Sequence, residues 1–197
     1  MRNSQMLIKA QDSALVVIDM QNRLFPAMVA PDHTITNTYL LSEVAEKIMV
    51  PSILTEQYPE GLGATIPTIK NAAGQSPVLS KLCFSCLQDS SFATGFTSLN
   101  RQQVILIGME AYISVVQTTA SLWDEGYEVF LVSDAIASRT LENKKTCLTR
   151  LNAAGVSIGT IGMAIFEWLG QAGTSAFKEM LLLIKQHEIQ GAINEHP

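Results

Sequence analysis

The fold is decided by residues 104–117, which read Val-Ile-Leu-Ile-Gly-Met-Glu-Ala-Tyr-Ile-Ser-Val-Val-Gln. The apolar run at 104–107 predicts a buried strand that ends at Gly108. Ser114 then opens a helical pattern, which predicts a helix over 114–125. Because a helix N-terminus directs N–H groups and a positive dipole end at nearby side chains, Ser114 is a candidate nucleophile or anion-binding residue. The simpler alternative is that Ser114 only caps the helix.

Composition limits the classes of protein to which the chain can belong. With 197 residues, it is long enough for one domain, spanning residues 1–197, and too short for two comfortable ones. A net charge of −5 and the absence of any Lys or Arg cluster argue against binding to nucleic acid or to an anionic membrane. No apolar stretch approaches the roughly 18–20 residues that a membrane span needs.

A low charge content predicts a homo-oligomer. Only 16% of residues are charged and 47% are hydrophobic, so part of the apolar surface is expected to be covered by another subunit. A predicted last helix over 175–187 carries Leu182 and Leu183 outside its main apolar stripe. We expect these two leucines to lie in a subunit contact. The alternative is that both pack inside their own subunit, where a neighbouring loop covers the helix.

Three cysteines, Cys83, Cys86 and Cys147, form an odd set without a secretory context. This argues against a disulfide framework and for an intracellular, reduced compartment, with the cytoplasm favoured and a mitochondrial location left open. Cys83 and Cys86 match the CxxC pattern, but no second pair and no nearby histidine complete a zinc site. Both thiols are therefore interpreted as structural.

Strands and helices alternate along the chain. The patterns predict strands at 14–18, 52–56, 77–82, 103–107, 127–132 and 156–161, and helices at 39–49, 88–99, 114–125, 142–154, 162–169 and 175–187. The stretch 57–67, with two prolines and two glycines, predicts a long surface loop without a dinucleotide fingerprint, so no cofactor is expected. The alternation predicts an α/β domain with a mostly parallel sheet.

Asp19, Lys81 and Ser114 each end or follow a different predicted strand. In doubly wound sheets, ligands bind outside the carboxyl ends of strands, where the strand order reverses. If strand 14–18 lies beside strand 103–107, Asp19 and Ser114 face each other across that point. A carboxylate beside a lysine forms a proton-transfer pair, so we expect the three functional groups within about 6 Å of one another.

Several segments carry a family resemblance, and they occur in order over nearly the whole chain. They are Ala-Leu-Val-Val-Ile-Asp-Met-Gln at 14–21, Thr-Glu-Gln-Tyr-Pro-Glu-Gly-Leu-Gly at 55–63, Ser-Lys-Leu-Cys-Phe-Ser at 80–85, Gly-Met-Glu-Ala-Tyr-Ile-Ser-Val-Val-Gln-Thr at 108–118, Gly-Tyr-Glu-Val at 126–129 and Asp-Ala-Ile-Ala-Ser-Arg at 134–139. With them the chain resembles the isochorismatase-like hydrolases, which include cysteine hydrolases such as nicotinamidases. The loop at 55–63 makes it more similar to the small isochorismatase-domain proteins than to nicotinamidases.

The resemblance implies a three-layer, doubly wound fold whose six-stranded, mostly parallel sheet is flanked by helices. It also implies that Asp19 is the general acid/base, Lys81 its partner and position 114 the nucleophile. A non-proline cis peptide between Met109 and Glu110 is implied as well, with an oxyanion hole formed by the main-chain amides of Glu110 and Ser114.

Further residues are expected to bind substrate. Phe25 and Tyr58 are candidate pocket walls, and Gln21, Glu110 and Tyr112 are candidate contacts because they lie within the matching segments. The partner expected in this pocket is a small molecule. Three histidines, His33, His187 and His196, all lie outside the 55–63 loop, so no metal site is carried over from the nicotinamidase branch.

Ser114 departs from the pattern, because the cysteine hydrolases of the family have cysteine there. A thiol near a cation becomes a thiolate at neutral pH, whereas a serine hydroxyl needs a strong positioned base. A Ser–Lys pair is a known nucleophile and base, so Ser114 stays a candidate. Tyr112 is a second departure, where relatives often carry histidine. Two functions remain open. One is a hydrolase of a small molecule, with acid–base chemistry from Asp19 and Lys81 that can proceed with or without Ser114 as nucleophile. The other is a non-catalytic member that binds a metabolite or a protein.

Overall fold

A computed structural model describes residues 7–195 of the chain, with side chains described for 7–187. Its six strands form one sheet in which every neighbouring pair is parallel, in the order β3-β2-β1-β4-β5-β6. The strands are β1 Ser13–Ile18, β2 Ser52–Gln57, β3 Val78–Lys81, β4 Gln103–Gly108, β5 Glu128–Ile136 and β6 Ser157–Gly159. The predicted α/β class and six-stranded sheet are confirmed, and the sheet is wholly parallel.

Helices cover both faces of the sheet. They are α1 Pro31–Lys47, α2 Pro59–Leu62, α3 Pro67–Ala72, α4 Ser90–Ser98, α5 Val116–Asp124, α6 Leu141–Ala153, α7 Ile161–Leu169 and α8 Ser175–Glu195. Alternate residues of β1 enter two separate cores: Leu15 and Val17 pack with α1 and α7, whereas Val16 and Ile18 pack with α4, α5 and α6. This period of two in a strand buried on both faces produces the three-layer arrangement.

Several element boundaries differ from the sequence prediction. Helix α1 begins at Pro31, eight residues before the predicted start, because its first turns bury polar residues such as Thr34 and Asn37 and so hide the helical apolar period. Two short helices each have proline in the first turn: α2 lies inside the predicted loop, and α3 begins at the last residue of that loop and continues beyond it. Strand β5 continues through Asp134 to Ile136.

The junction at Ser114 also differs. A π-helical turn, Ala111–Val115, precedes α5, so Ser114 lies inside this turn and does not open the helix. The simple capping interpretation of Ser114 is therefore wrong. π-Helical turns are rare and are often found at functional sites, where they redirect one side chain.

Helix α8 carries the two leucines that were expected in a subunit contact. Leu182 is 63% exposed, but Leu183 is partly buried and packs against the core beside α1. Leu183 therefore packs in part within its own subunit, and the expected subunit contact stays a prediction for both leucines. No helix within the described residues is long and apolar enough to cross a membrane.

Candidate functional site

The site lies at the carboxyl ends of β1, β2, β3 and β4. Strand β1 lies between β2 and β4, so the strand order reverses at β1 and leaves a crevice there. Asp19 follows β1 with a positive φ of 53°, and its N–H donates to Thr55 O at 3.1 Å. Gly108 closes β4 with φ 144°, where a Cβ would lie 2.1 Å from Ile18 O. The close approach of the two strand ends thus requires glycine at 108.

The three predicted site residues meet at one atom. Lys81 Nζ lies 2.9 Å from Asp19 Oδ2 and 3.4 Å from Ser114 Oγ. All three residues are buried, with exposures of 1% for Asp19, 3% for Lys81 and 2% for Ser114. The predicted convergence is observed, and the cluster is sealed from bulk water in this conformation.

Lys81 also donates to groups that the sequence did not indicate. Its Nζ lies 2.7 Å from Gln57 Oε1 and 3.4 Å from Cys83 O. An ammonium has three N–H groups and no acceptor, so toward these four oxygens Lys81 can only donate. Two N–H groups serve the short contacts to Asp19 and Gln57, and Cys83 O and Ser114 Oγ, both at 3.4 Å, share the third. The hydroxyl hydrogen of Ser114 is therefore not directed at Lys81.

Thr55 is a site residue that the sequence reasoning missed. Its hydroxyl donates to Asp19 Oδ1 at 2.8 Å, so Thr55 and Lys81 each hold one carboxylate oxygen. Thr55 and Gln57 lie two residues apart near the end of β2, and side chains alternate along a strand. The signal that could have revealed them is this pair of polar residues on one face, at the end of a strand that is otherwise buried.

Cys86 lies behind Asp19, between β2 and α5, and is fully buried. Its N–H donates to Thr118 Oγ1 at 3.1 Å, and the Thr118 hydroxyl donates to Cys86 Sγ at 3.3 Å. Burial raises the pKa of the Cys86 thiol to about 11, against a smaller opposing effect of Lys81. The thiol is therefore protonated at neutral pH, which makes it unsuited to be a nucleophile.

Gln21 holds the loop that follows β2. Its Nε2 donates to Gly63 O at 2.6 Å and Gln57 O at 3.1 Å, and its Oε1 accepts from Gln57 N at 2.8 Å. The residue is fully buried. These bonds tie Gln21 to main-chain groups, so the geometry favours a role in positioning Gln57 over the predicted contact with substrate.

The predicted aromatic walls differ in exposure. Phe25 is partly buried and packs against the core beside α1. Tyr58 and Tyr112 are exposed, at 51% and 39%, and Tyr58 N donates to Lys81 O at 3.0 Å. Tyr58 therefore lies at the rim of the site next to Lys81, and Tyr112 belongs to the same π-helical turn as Ser114.

The predicted cis peptide is wrong. The Met109–Glu110 bond is trans, and Glu110 adopts a left-handed conformation with φ 59° and ψ 60°. The oxyanion hole was predicted from the cis bond, so this geometry does not support it. The Glu110 side chain is buried and accepts from Arg139 Nε at 2.7 Å, and this hydrogen bond raises the pKa of the half-exposed Arg139 guanidinium.

No cluster of three or more His, Cys, Asp or Glu within the described residues could hold a metal ion. His187 Nε2 lies 2.9 Å from Thr36 O, and His33 Nδ1 lies 3.4 Å from Asn37 Nδ2. His196 lies outside the described residues.

Comparison with known proteins places this geometry in a family. The model of the isochorismatase domain matches residues 13–162. The chain belongs to the isochorismatase family. It is 32% identical to isochorismatase domain-containing protein 2 of Danio rerio, over 90% of this chain and 89% of that protein. It is also 33% identical to the secreted isochorismatase effector Isc1 of Phytophthora sojae, over 89% of this chain and 85% of that protein.

Solved structures of other proteins share the fold. A structure of MAR1 ribonuclease from Caenorhabditis elegans superposes with a TM-score of 0.85 at 34% identity, covering 90% of this chain and 92% of that one. The YcaC gene product of Escherichia coli, an octameric hydrolase of unknown specificity, superposes with a TM-score of 0.86 at 19% identity, covering 97% of each chain. The likeness to YcaC shows the fold alone.

Proposed function

We propose that this isochorismatase-family protein hydrolyses a small molecule by proton transfer from the Asp19–Lys81 pair, without a covalent bond to Ser114. The observation that carries the proposal is the Lys81 ammonium, which donates to both Asp19 Oδ2 and Ser114 Oγ. A lysine that donates to Ser114 cannot at the same time take its proton, so the Ser–Lys route to an acyl-serine is disfavoured.

Asp19 has the geometry of a general acid/base. Thr55 and Lys81 hold its two oxygens at 2.8 and 2.9 Å, which fixes the orientation of the carboxylate in the crevice. In the proposed reaction, the Asp19 carboxylate takes a proton from water as the water attacks the substrate carbon, and then gives that proton to the leaving group. Ser114 offers its hydroxyl hydrogen to the substrate as a donor.

The site favours a small uncharged or anionic substrate over a polynucleotide. The chain has a net charge of −5, and phosphate backbones are bound chiefly by clusters of Lys and Arg. The same argument disfavours ribonuclease activity for this chain, although the similar nematode protein is named a ribonuclease. The expected homo-oligomer and intracellular location also remain proposals, and the oomycete relative named as a secreted effector stands against the second.

Turnover by the wild-type protein is the test. A panel of small vinyl ethers, amides and esters is offered to the protein and product release is measured. We expect hydrolysis of at least one class. Saturable binding of a panel compound without any turnover would instead favour a non-catalytic member that keeps the pocket.

A Ser114→Cys variant tests whether the surroundings of Ser114 still match a cysteine-hydrolase site. Because Lys81 Nζ lies 3.4 Å from Ser114 Oγ, a thiol there should ionise readily and react with iodoacetamide faster than an ordinary cysteine. The Cys83→Ser background removes the partly exposed native thiol, and Lys81→Met in that background is the matched control. Equal labelling rates with and without Lys81 would show that the lysine does not activate position 114.

A further inference from the structure

The π-helical turn that carries Ser114 is bonded to a neighbouring helix through its first residue. Ala111 O accepts the N–H of Val116, which closes the turn, and it also lies 3.1 Å from Cys147 Sγ on α6. Ala111 N donates to Ala137 O at 2.9 Å, just beyond the end of β5. The main chain of Ala111 is thus held at its N–H by the sheet and at its carbonyl oxygen by α6.

Cys147 is the donor in the contact with the turn. A carbonyl oxygen has two lone pairs and no hydrogen, so toward Ala111 O the thiol can only donate its S–H. Cys147 is 5% exposed, and burial raises the pKa of its thiol to about 11, against a smaller opposing effect of Arg150. The S–H is therefore present across the neutral range. One carbonyl accepts two hydrogen bonds, from its own turn and from α6.

The second bond favours a π-helical turn over an α-helical one. In an α-helix, Ala111 O would accept the N–H of Val115, four residues along the chain, whereas here it accepts that of Val116, five residues along. Side chains that insert into the hydrogen-bond ladder of a helix are a general cause of such irregularities. Because the Cys147 S–H draws the Ala111 carbonyl toward α6, it weakens the α-helical bond and lets the wider turn close on Val116.

The wider turn sets the direction of the Ser114 side chain. Ser114 Oγ lies 3.4 Å from Lys81 Nζ, and Ser114 follows Ala111 by three residues. A π-helical turn rotates less per residue than an α-helical turn, so a change to α-helical geometry would rotate Ser114 relative to the anchored Ala111. Ala111, Val115 and Cys147 pack in the same buried cluster, so the S–H contact is shielded from water.

We propose that Cys147 is a positioning residue for Ser114: its S–H holds the Ala111 carbonyl so that the π-helical turn persists and Ser114 faces Lys81. Cys147 acts through the main chain and does not itself touch the substrate. The inference rests on the proposed function only in giving Ser114 a contact with the substrate.

The turn itself is tested by crystal structures of the wild type, Cys147→Ala and Cys147→Ser. We expect Cys147→Ala to convert the turn to α-helical geometry, with Ala111 O accepting from Val115 N in place of Val116 N, and to move Ser114 Oγ away from its present position. Cys147→Ser restores a donor and should keep the π-helical turn. A π-helical turn that is unchanged in Cys147→Ala would overturn the proposal.

The position of residue 114 is tested by the pH profile of iodoacetamide labelling of Ser114→Cys in the Cys83→Ser background. A thiol beside the Lys81 ammonium ionises at lower pH, so we expect Cys147→Ala to raise the midpoint by about one pH unit. Cys147→Ser should return the midpoint toward that of the parent, and Lys81→Met gives the midpoint without the ammonium. Leu151→Ala is the matched control, because it truncates an equally buried side chain of α6 in the same cluster and removes no hydrogen bond to the turn.

A midpoint that Lys81→Met raises and Cys147→Ala leaves unchanged, or that Leu151→Ala raises equally, would overturn the proposal. If Lys81→Met does not change the midpoint, labelling does not sense the position of the thiol and the crystal structures decide alone. If Cys147→Ala does not fold, Cys147→Val, which keeps the volume and lacks the donor, replaces it in both measurements. Neither measurement needs turnover. A protein that is inactive on every panel substrate would therefore contradict the proposed function and leave this inference standing.

Discussion

Asp19 and Lys81 form an ion pair whose side chains are each only 1% exposed. Breaking a buried pair from one side leaves an unpaired buried charge, which typically costs about 3–5 kcal/mol. We therefore expect Asp19→Asn to lower the free energy of unfolding by roughly that amount, measured by urea denaturation, and Asp19→Asn with Lys81→Met together to cost less than the sum of the two single changes.

The matched control is the exposed pair of Lys47 and Glu179, whose Nζ and Oε1 lie 3.1 Å apart. Exposed pairs contribute about 0–1 kcal/mol, so Lys47→Ala should change the free energy of unfolding only slightly. If Asp19→Asn and Lys47→Ala had equal small effects, the pair would not be sealed from water as the structure has it.

At this scale, the sequence predicted the three residues that follow strand ends and missed the neutral residues that hold Asp19 and Lys81. Asp19, Lys81 and Ser114 could be found because each stands at the end of a predicted strand. Thr55 was missed because a threonine in a strand is common without any function, and only its pairing with Gln57 on one face of β2 distinguishes it. The family resemblance also predicted a cis bond at Met109–Glu110, where the chain reaches the site through a trans bond and a left-handed Glu110.

At the level of the secondary-structure elements, the close approach of the ends of β1 and β4 depends on Gly108. Its φ of 144° is unfavourable for other residues, and a Cβ there would lie 2.1 Å from the main-chain oxygen of Ile18. Gly108→Ala should therefore lower the free energy of unfolding by more than about 2 kcal/mol or prevent folding, since backbone strain of 1–3 kcal/mol adds to the clash.

Gly95 in α4 provides the comparison for this substitution. A Cβ at Gly95 would meet nothing closer than 3.8 Å, and alanine favours a helix by about 0.5–1 kcal/mol over glycine. The midpoint of thermal unfolding of Gly95→Ala should equal or exceed that of the wild type. A tolerated Gly108→Ala would mean that the strand ends are farther apart than described.

Helix α4 begins with a pH-dependent cap. The Asp89 carboxylate accepts from the Ser91 hydroxyl and from Ser91 N and Phe92 N, and these bonds lower the pKa of Asp89 below 3.8. A carboxyl group whose pKa is lower in the folded state than in the unfolded state stabilises the fold at pH values above its unfolded-state pKa. That stabilisation is lost as the pH falls through the folded-state pKa. Asp89→Ala should cost about 1 kcal/mol at pH 7 and progressively less below about pH 4.

Thr140 caps α6 with an uncharged hydroxyl, 3.1 Å from Asn143 N, and is the control. The cost of Thr140→Ala should not depend on pH in this range. Urea denaturation at pH 7 and at pH 3 measures both variants, and a pH-independent cost for Asp89→Ala would contradict a charged cap.

Elements were predicted well where the apolar period was clean and poorly where polar residues were buried. All six strands were foreseen, with β6 predicted three residues too long and β5 predicted three residues too short. The early turns of α1 were missed because Asn37 is buried and donates to Asp134 O at 2.9 Å, a tertiary partner that no local pattern reveals.

For the whole molecule, we predict a homo-oligomer that covers the outer faces of α7 and α8. Met163 and Phe166 on α7 are 51% and 47% exposed, and Leu182 on α8 is 63% exposed. Large exposed apolar patches are uncommon on soluble monomers, so we expect another subunit to cover these three side chains. Light scattering should give a multiple of 21.5 kDa, and a mass near 21.5 kDa at micromolar concentration would contradict the prediction.

Two neighbouring leucines locate the contact. Leu182→Glu should dissociate the oligomer and leave the fold intact, because Leu182 is exposed in the single chain. Leu183→Glu should instead lower the melting temperature, because Leu183 packs against the core of its own subunit. An oligomer that survives Leu182→Glu would place the interface elsewhere.

The central claim, proton transfer by Asp19 without a covalent Ser114 intermediate, is tested most directly by kcat/KM of two variants on any panel substrate that the wild type hydrolyses. Asp19→Asn should lose about 100-fold or more, because it removes the acid/base. Ser114→Ala should lose no more than about tenfold, because it removes one hydrogen bond worth about 0.5–1.5 kcal/mol. Equal and large losses in both variants would contradict the account and favour an acyl-serine route.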